Sequence, residues 1–186
     1  MSNDNRLYSL LLCSLFAALC AIGAFIKVPL AWLPITLQTF FSTLAGLLLG
    51  EKWGSFSICL YLGLGLIGFP VFTQGGGLGY VLKPSFGFLL ALLPATFLTG
   101  LVYRSTKQRF SSAFCASLLG TFVIYAIGLP YFYLITNFYL GQTLTVPALF
   151  AACFLPTLPG DVLKCVVCSL VSTRLAPILS GTRSHV

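Results

Sequence analysis

One acid and one base stand close together near the end of an otherwise apolar chain. Asp161 and Lys164 lie three residues apart, directly after the Pro-Gly pair at positions 159 and 160. Side chains at this spacing share nearly one face of a helix, so the two can meet or bind one ligand. The alternative is local, with Asp161 capping the helix and Lys164 neutralising it. We favour contact with a small molecule that carries NH donors and a carboxylate, because ionisable groups in apolar segments usually face a cavity.

The composition indicates which elements must position this pair. Of the 186 residues, 58% are hydrophobic and 7% charged, whereas soluble domains carry roughly a quarter charged residues. A helix needs about 20 apolar residues to cross a bilayer, so a chain of this length holds about six spans. We predict an all-α integral membrane protein with one transmembrane domain over residues 1–186, and spans at about 8–27, 35–50, 54–69, 85–103, 112–136 and 160–180. The second and third spans are expected to form a hairpin.

Basic residues predict the orientation of these spans. With an even number of spans both termini lie on one side, and that side collects seven basic residues: Arg6, Lys52, Arg104, Lys107, Arg109, Arg174 and Arg183. The opposite side collects Lys27 and Lys83. Because cytoplasmic loops are enriched in Lys and Arg, we predict cytoplasmic termini in a multi-pass protein of the cell membrane.

The outer connections are expected to be stiff. Residues 27–36, 70–84 and 137–160 contain seven of the ten prolines. Proline fixes φ and removes a backbone donor, so we predict rigid, non-helical backbone suited to a ligand lid.

A glycine-rich run in the second outer connection is a candidate part of the binding site. Gly76 and Gly77 lie between Phe72 and Tyr80, and Lys83 follows. Glycine permits close backbone approach, so this run could expose NH and CO groups to a ligand, with Phe72 and Tyr80 placed on an apolar ring. The alternative is a flexible connector.

Two further groups of residues suggest binding or docking. Thr36 and Gln38 begin the second span, and polar groups there either contact a ligand or make interhelical hydrogen bonds. Ala17 and Ala21 form a small-residue face on the first span, which suits internal packing or another membrane subunit equally.

Catalytic sets are missing from the sequence. The chain has one histidine, His185, three acidic residues and no Walker pattern, so paired carboxylates, a metal cluster, a Ser/His/Asp set and ATP hydrolysis by a phosphate loop are not expected. We predict neither enzymatic activity nor a cofactor.

Four motifs follow one another along the chain: Pro34-Ile-Thr-Leu-Gln-Thr39, Gly65-Leu-Ile-Gly-Phe-Pro-Val-Phe72 with the glycines after it, Lys83-Pro-Ser-Phe-Gly-Phe88, and Pro159-Gly-Asp-Val-Leu-Lys164. In this order and spacing they resemble the BioY family, the biotin-binding S components of energy-coupling factor (ECF) transporters. The resemblance covers roughly residues 8 to 180. Lys83 departs from it, because a small residue is expected before that proline.

The resemblance implies a six-helix bundle that holds biotin at its outer end beneath the first and third outer loops. It assigns polar contacts to Asp161 and Lys164, lid or wall positions to the glycine-rich run, and docking of a transmembrane T component, coupled to two ATPases, to Ala17 and Ala21.

Our hypothesis is that Asp161 accepts hydrogen bonds from the biotin ureido ring, while Lys164, with or without Lys83, attracts the carboxylate. The two roles could also be exchanged through water. The alternatives are a facilitator that needs no partner and a structural membrane subunit without a ligand.

Overall fold

The computed structural model describes residues 3–28 and 34–184, and the side chains within 6–28 and 34–176. Its helices are α1 (Asn3–Phe25), α2 (Gln38–Ile67), α3 (Phe86–Ser105), α4 (Phe110–Leu134), α5 (Val146–Leu149) and α6 (Leu158–Ser184). A two-stranded antiparallel ribbon, β1 (Lys27–Val28) and β2 (Ile35–Thr36), precedes α2. Shorter turns of helix occupy Leu78–Leu82, Ile135–Tyr139 and Phe150–Phe154. The described chain is therefore mostly helical, as the sequence predicts.

Helix α2 folds back on itself at Gly50. This glycine has φ +83° and ψ −175°, a conformation that is not helical. The amide of Gln38 donates to the hydroxyl of Tyr61, although the two residues would lie about 35 Å apart in one straight helix. The predicted hairpin is thus confirmed, with its turn at Gly50.

Small residues let the two halves of α2 and their neighbours approach closely. A Cβ on Gly54 would lie 2.8 Å from the carbonyl oxygen of Ala45, across the hairpin. A Cβ on Gly46 would lie 2.7 Å from the carbonyl oxygen of Thr96 in α3. The glycines at 46 and 54 therefore serve internal packing.

Three described helical stretches are long and apolar enough to cross a membrane, namely Arg6–Phe25, Phe86–Ser105 and Phe110–Tyr139. A fourth span is formed if Val146–Phe154 and Leu158–Ala176, which meet at a bend of 45°, count together. The two halves of α2 are shorter than the roughly 20 residues of a full span. Large apolar side chains such as Leu11, Ile22 and Phe122 are exposed on the outside of the bundle, as expected for helices in contact with lipid.

The prediction that the outer connections lack helix is wrong for two of them. Residues 78–82 form a turn of 3-10 helix, and residues 146–154 form α5 and the helical turn after it. Proline is compatible with a helix in its first turn, where the missing N–H has no intrahelical partner. Pro147 in α5 and Pro159 in α6 occupy such positions, so prolines at helix starts were misread as signs of non-helical backbone.

Candidate functional site

A cavity of about 410 Å³ opens at the end of the bundle where the three predicted outer connections meet the helices. Residues 34–36, parts of the connection 73–85 (residues 73–74, 80 and 82–85) and residues 140 and 142 contribute to its wall. The apolar part of the wall includes Phe88, Leu89, Leu92, Ile124 and Phe132. The charged residues among those that line it are Lys83, Asp161 and Lys164.

Asp161 and Lys164 form an ion pair inside this cavity. Asp161 lies in the first turn of α6, where its backbone N–H donates to the Thr157 carbonyl at 3.0 Å. Lys164 Nζ lies 2.6 Å from Asp161 Oδ1, and the two side chains are only 14% and 11% exposed. Asp161 is therefore placed favourably at a positive helix end and also lines the cavity, so the local and the ligand-binding interpretations are compatible.

Tyr125 completes the surroundings of this carboxylate. Its phenol donates to Asp161 Oδ2, the oxygen that Lys164 does not contact. Both carboxylate oxygens thus accept one hydrogen bond from the protein, and each retains a free lone pair for a ligand.

Lys164 ties α6 to the start of α2. Besides Asp161, its ammonium donates to the carbonyl oxygen of Thr36 at 3.2 Å and to Thr39 Oγ1 at 2.7 Å. The sequence-predicted Thr36 therefore lines the cavity and helps to hold the lysine.

Gln38 links three segments on the same wall. Its Oε1 accepts hydrogen bonds from Thr36 Oγ1 at 3.1 Å and from Thr73 Oγ1 at 3.4 Å. Its amide donates to Tyr61, whose hydroxyl in turn donates to the Val71 carbonyl at 3.1 Å. Gln38 thus fixes the glycine-rich connection against α2 and presents polar atoms to the cavity.

Tyr80 lines the cavity, but Phe72 does not. Phe72 is fully buried behind Tyr80, with ring centroids 4.8 Å apart, and it fills the space left by Gly65, where a Cβ would lie 2.0 Å from its ring. Burial raises the pKa of the Tyr80 phenol, which keeps it neutral and able to donate. The placement supports Tyr80 as a ligand contact and gives Phe72 a supporting role instead.

Gly76 and Gly77 also lie outside the cavity wall. Gly77 has φ +98°, and its N–H donates to the Gly65 carbonyl at 2.7 Å. A Cβ on Gly76 would lie 2.1 Å from the carbonyl oxygen of Phe69. These glycines let the connection pack onto the end of α2, so their predicted contact with a ligand is not supported by where they lie.

Lys83 reaches the cavity from the same connection. Its ammonium donates to the backbone carbonyl of Gln74 at 3.1 Å and to Gln74 Oε1 at 3.2 Å. It also lies 4.7 Å from the centre of the Tyr80 ring, a favourable position for a cation.

The structure places Ala17 and Ala21, the predicted docking face, against α2 rather than on the outside of the bundle. Ala17 is only 4% exposed and packs in a cluster with Ile58 and Tyr61 of α2, and the partly buried Ala21 packs against the same cluster. The small side chains let α1 approach α2, which is the internal-packing alternative. Ala18, the next residue on α1, is exposed.

Sequence reasoning missed several polar residues of the cavity wall. Thr121 and Tyr125 of α4 line the cavity with Asp161, as do Thr136 and Thr157. A tyrosine within a predicted span is an available signal, since its hydroxyl needs a partner when buried. Hydropathy alone does not tell whether such a residue faces lipid or the interior.

Fold and cavity together define an α-helical, multi-pass membrane protein with a ligand-sized chamber at one end. The model of the BioY family matches residues 1–181, and the chain belongs to this family. The probable biotin transporter BioY of Lysinibacillus sphaericus is 39% identical over 99% of this chain and 94% of its own length. The biotin transporter BioY of Rhodobacter capsulatus is 38% identical, with 89% and 91% covered.

A solved structure agrees with the fold. The crystal structure of the S-component for biotin from an ECF-type ABC transporter matches with a TM-score of 0.81 and 28% identity, covering 94% of each chain. These relatives are transporters, in agreement with the prediction that the chain is not an enzyme.

Proposed function

We propose that this chain captures biotin with high affinity and serves as the substrate-specific subunit of an ECF-type transporter for its uptake. The observation that carries the proposal is the cavity of about 410 Å³, whose wall combines an acid–base pair with aromatic and aliphatic side chains. Membership of the BioY family supports biotin as the molecule that this cavity holds.

Biotin matches the distribution of polar and apolar groups in the cavity. Its ureido ring carries two NH donors, which the free lone pairs of Asp161 can accept at the α6 end. Hydrogen bonds to a carboxylate are stronger than neutral ones, so this contact fixes the orientation of the ligand. The apolar thioether ring and chain fit the wall formed by Leu89, Leu92 and Ile124, with Tyr80 and Gln38 at its edge.

Uptake against a concentration gradient needs an energy source, and the Walker pattern of an ATPase is absent from this sequence. We propose that a transmembrane T component and two ATPases supply it, and that the loaded chain moves against them. The exposed side of α1, which includes Ala18, is the surface we propose for docking in place of Ala17 and Ala21.

Binding of labelled biotin to the purified protein tests the capture step. We expect saturable binding by the wild type, and strongly weakened binding by Asp161→Asn and Lys164→Met. Arg104→Met is the matched control, because it replaces the basic member of an ion pair outside the cavity with the same residue, methionine. No binding by the wild type would overturn the biotin proposal, and unchanged binding by both site variants would overturn the assignment of the site.

Uptake by cells tests the partners. Cells that produce this chain with its T component and ATPases should accumulate labelled biotin, whereas cells without the ATPases should not. Equal uptake in both would favour a facilitator that works alone.

A further inference from the structure

The two lysines of the cavity differ in how their charges and donors are used. An ammonium group has three N–H donors. Those of Lys164 are taken by Asp161 Oδ1 at 2.6 Å, Thr39 Oγ1 at 2.7 Å and the Thr36 carbonyl at 3.2 Å. Its charge is balanced by Asp161, so a ligand carboxylate could bind it only by displacing one of these partners.

Lys83 has an N–H donor that its two hydrogen bonds leave unused and a positive charge that no acid of the described cavity wall balances. Both of its hydrogen bonds go to neutral oxygens of one residue, Gln74. Among the described residues that line the cavity, Asp161 is the only acid, and it belongs to Lys164. Two lysines against one aspartate leave the wall with one uncompensated positive charge, and that charge lies on Lys83.

The position of Lys83 is fixed before a ligand arrives. The Gln74 oxygens and the face of the Tyr80 ring, 4.7 Å away, hold the ammonium at the cavity wall. Lys83 is partly buried as a residue, while its hydrogen bonds to Gln74 are exposed, so its ammonium is open to a carboxylate in the cavity.

We propose that Lys83, rather than Lys164, recognises the carboxylate of biotin and makes the site selective for the free acid over neutral esters and amides. This inference rests on the proposed function, in which biotin is the ligand. The Asp161 end then holds the ureido ring, and the carboxylate takes the unused N–H of Lys83. A neutral derivative keeps the ring contacts and loses the charge-assisted hydrogen bond.

The test compares the dissociation constants of biotin and biotin methyl ester for the purified full chain. The wild type should prefer the acid by about 10-fold to 100-fold, the range expected for a hydrogen bond between charged groups. Lys83→Met should reduce this preference to less than about threefold by weakening acid binding alone, and Lys83→Arg should retain most of it.

Lys27→Met is the matched control. Lys27 is an exposed lysine at the same end of the bundle, 3.4 Å from the Thr73 carbonyl, and it does not line the cavity. Its variant should keep the wild-type preference.

Three results would overturn the inference: a wild type without preference for the acid, a preference unchanged in Lys83→Met, or an equal loss in Lys27→Met. If the wild type binds neither compound, the proposed function itself fails, and this inference fails with it.

Discussion

Two acid–base pairs lie at opposite ends of the first half of α2, and they serve different purposes. Lys164 pairs with Asp161 at 2.6 Å beside the start of this half, with both side chains largely buried. Arg104 pairs with Glu51 at 3.4 Å at its other end, and the arginine side chain is 42% exposed. An acid–base pair therefore lines the ligand-binding cavity at one end, and a second acid–base pair stabilises the turn at the other.

The surroundings explain the difference. Arg104 also donates to the Leu49 carbonyl at 3.2 Å, so it satisfies the backbone where the helix stops at Gly50. Although the Glu51 side chain is only 16% exposed, the arginine is open to solvent, and pairs screened in this way typically contribute 0 to about 1 kcal/mol. The Asp161 pair is shielded and joined by Tyr125, so each partner depends strongly on the other.

Asp161→Asn should have the largest effect. It removes the charge that accepts the ureido hydrogens and leaves Lys164 without a counter-charge. We expect the dissociation constant for biotin to rise about 100-fold, equivalent to roughly 2.8 kcal/mol. Isothermal titration calorimetry on the purified protein measures it, and a rise of less than threefold would contradict the proposed role.

Gly50→Ala should destabilise the turn of the α2 hairpin, at the end away from the cavity. Its φ of +83° disfavours any side chain, and a Cβ would lie 2.3 Å from the Arg104 guanidinium. We expect a loss of about 2 kcal/mol in the free energy of unfolding, with an unchanged biotin affinity in the folded protein. Thermal unfolding checks the first expectation, and a stable variant with weakened binding would show that the two ends are not separate.

Tyr125→Phe sharpens the role of the buried pair. The variant keeps the ring and removes one hydrogen bond to Asp161 Oδ2. Biotin should bind about 5-fold to 10-fold more weakly, because losing one such bond costs about 1 to 1.5 kcal/mol. An affinity equal to that of the wild type would mean that Tyr125 does not orient the carboxylate.

Glu51→Gln should have the smallest effect. It neutralises a pair whose arginine is open to solvent and leaves the cavity untouched, so we expect less than about 1 kcal/mol of lost stability. The biotin dissociation constant should change less than twofold. A larger change in affinity would show that the pair at the turn acts on the chamber.

The sequence predicts the bundle better than the connections. The span expected at 85–103 is α3 (Phe86–Ser105), and the one at 112–136 is α4 (Phe110–Leu134), because long apolar runs with charged ends have few alternatives. The prediction of a non-helical connection over 137–160 is wrong. Proline is found both in loops and at helix starts, and only tertiary packing distinguishes the two cases in this region.

Sequence reasoning identified the site residues that are costly to bury, and it could not assign the apolar residues, whose burial costs nothing. Asp161, Lys164 and Gln38 stand out in an apolar chain because each needs polar partners. Phe72 and Ala17 carry no such requirement, so their types fit a ligand wall, a protein interface or a core equally. Only the fold shows that both lie in the core.

An experimental structure of the protein with bound biotin tests the central claim most directly. The account predicts the ureido nitrogens within about 3.2 Å of Asp161 carboxylate oxygens and the ligand carboxylate within about 4 Å of Lys83 Nζ. Biotin bound outside this cavity, or within it with the carboxylate beside Lys164 and the ureido ring away from Asp161, would contradict it.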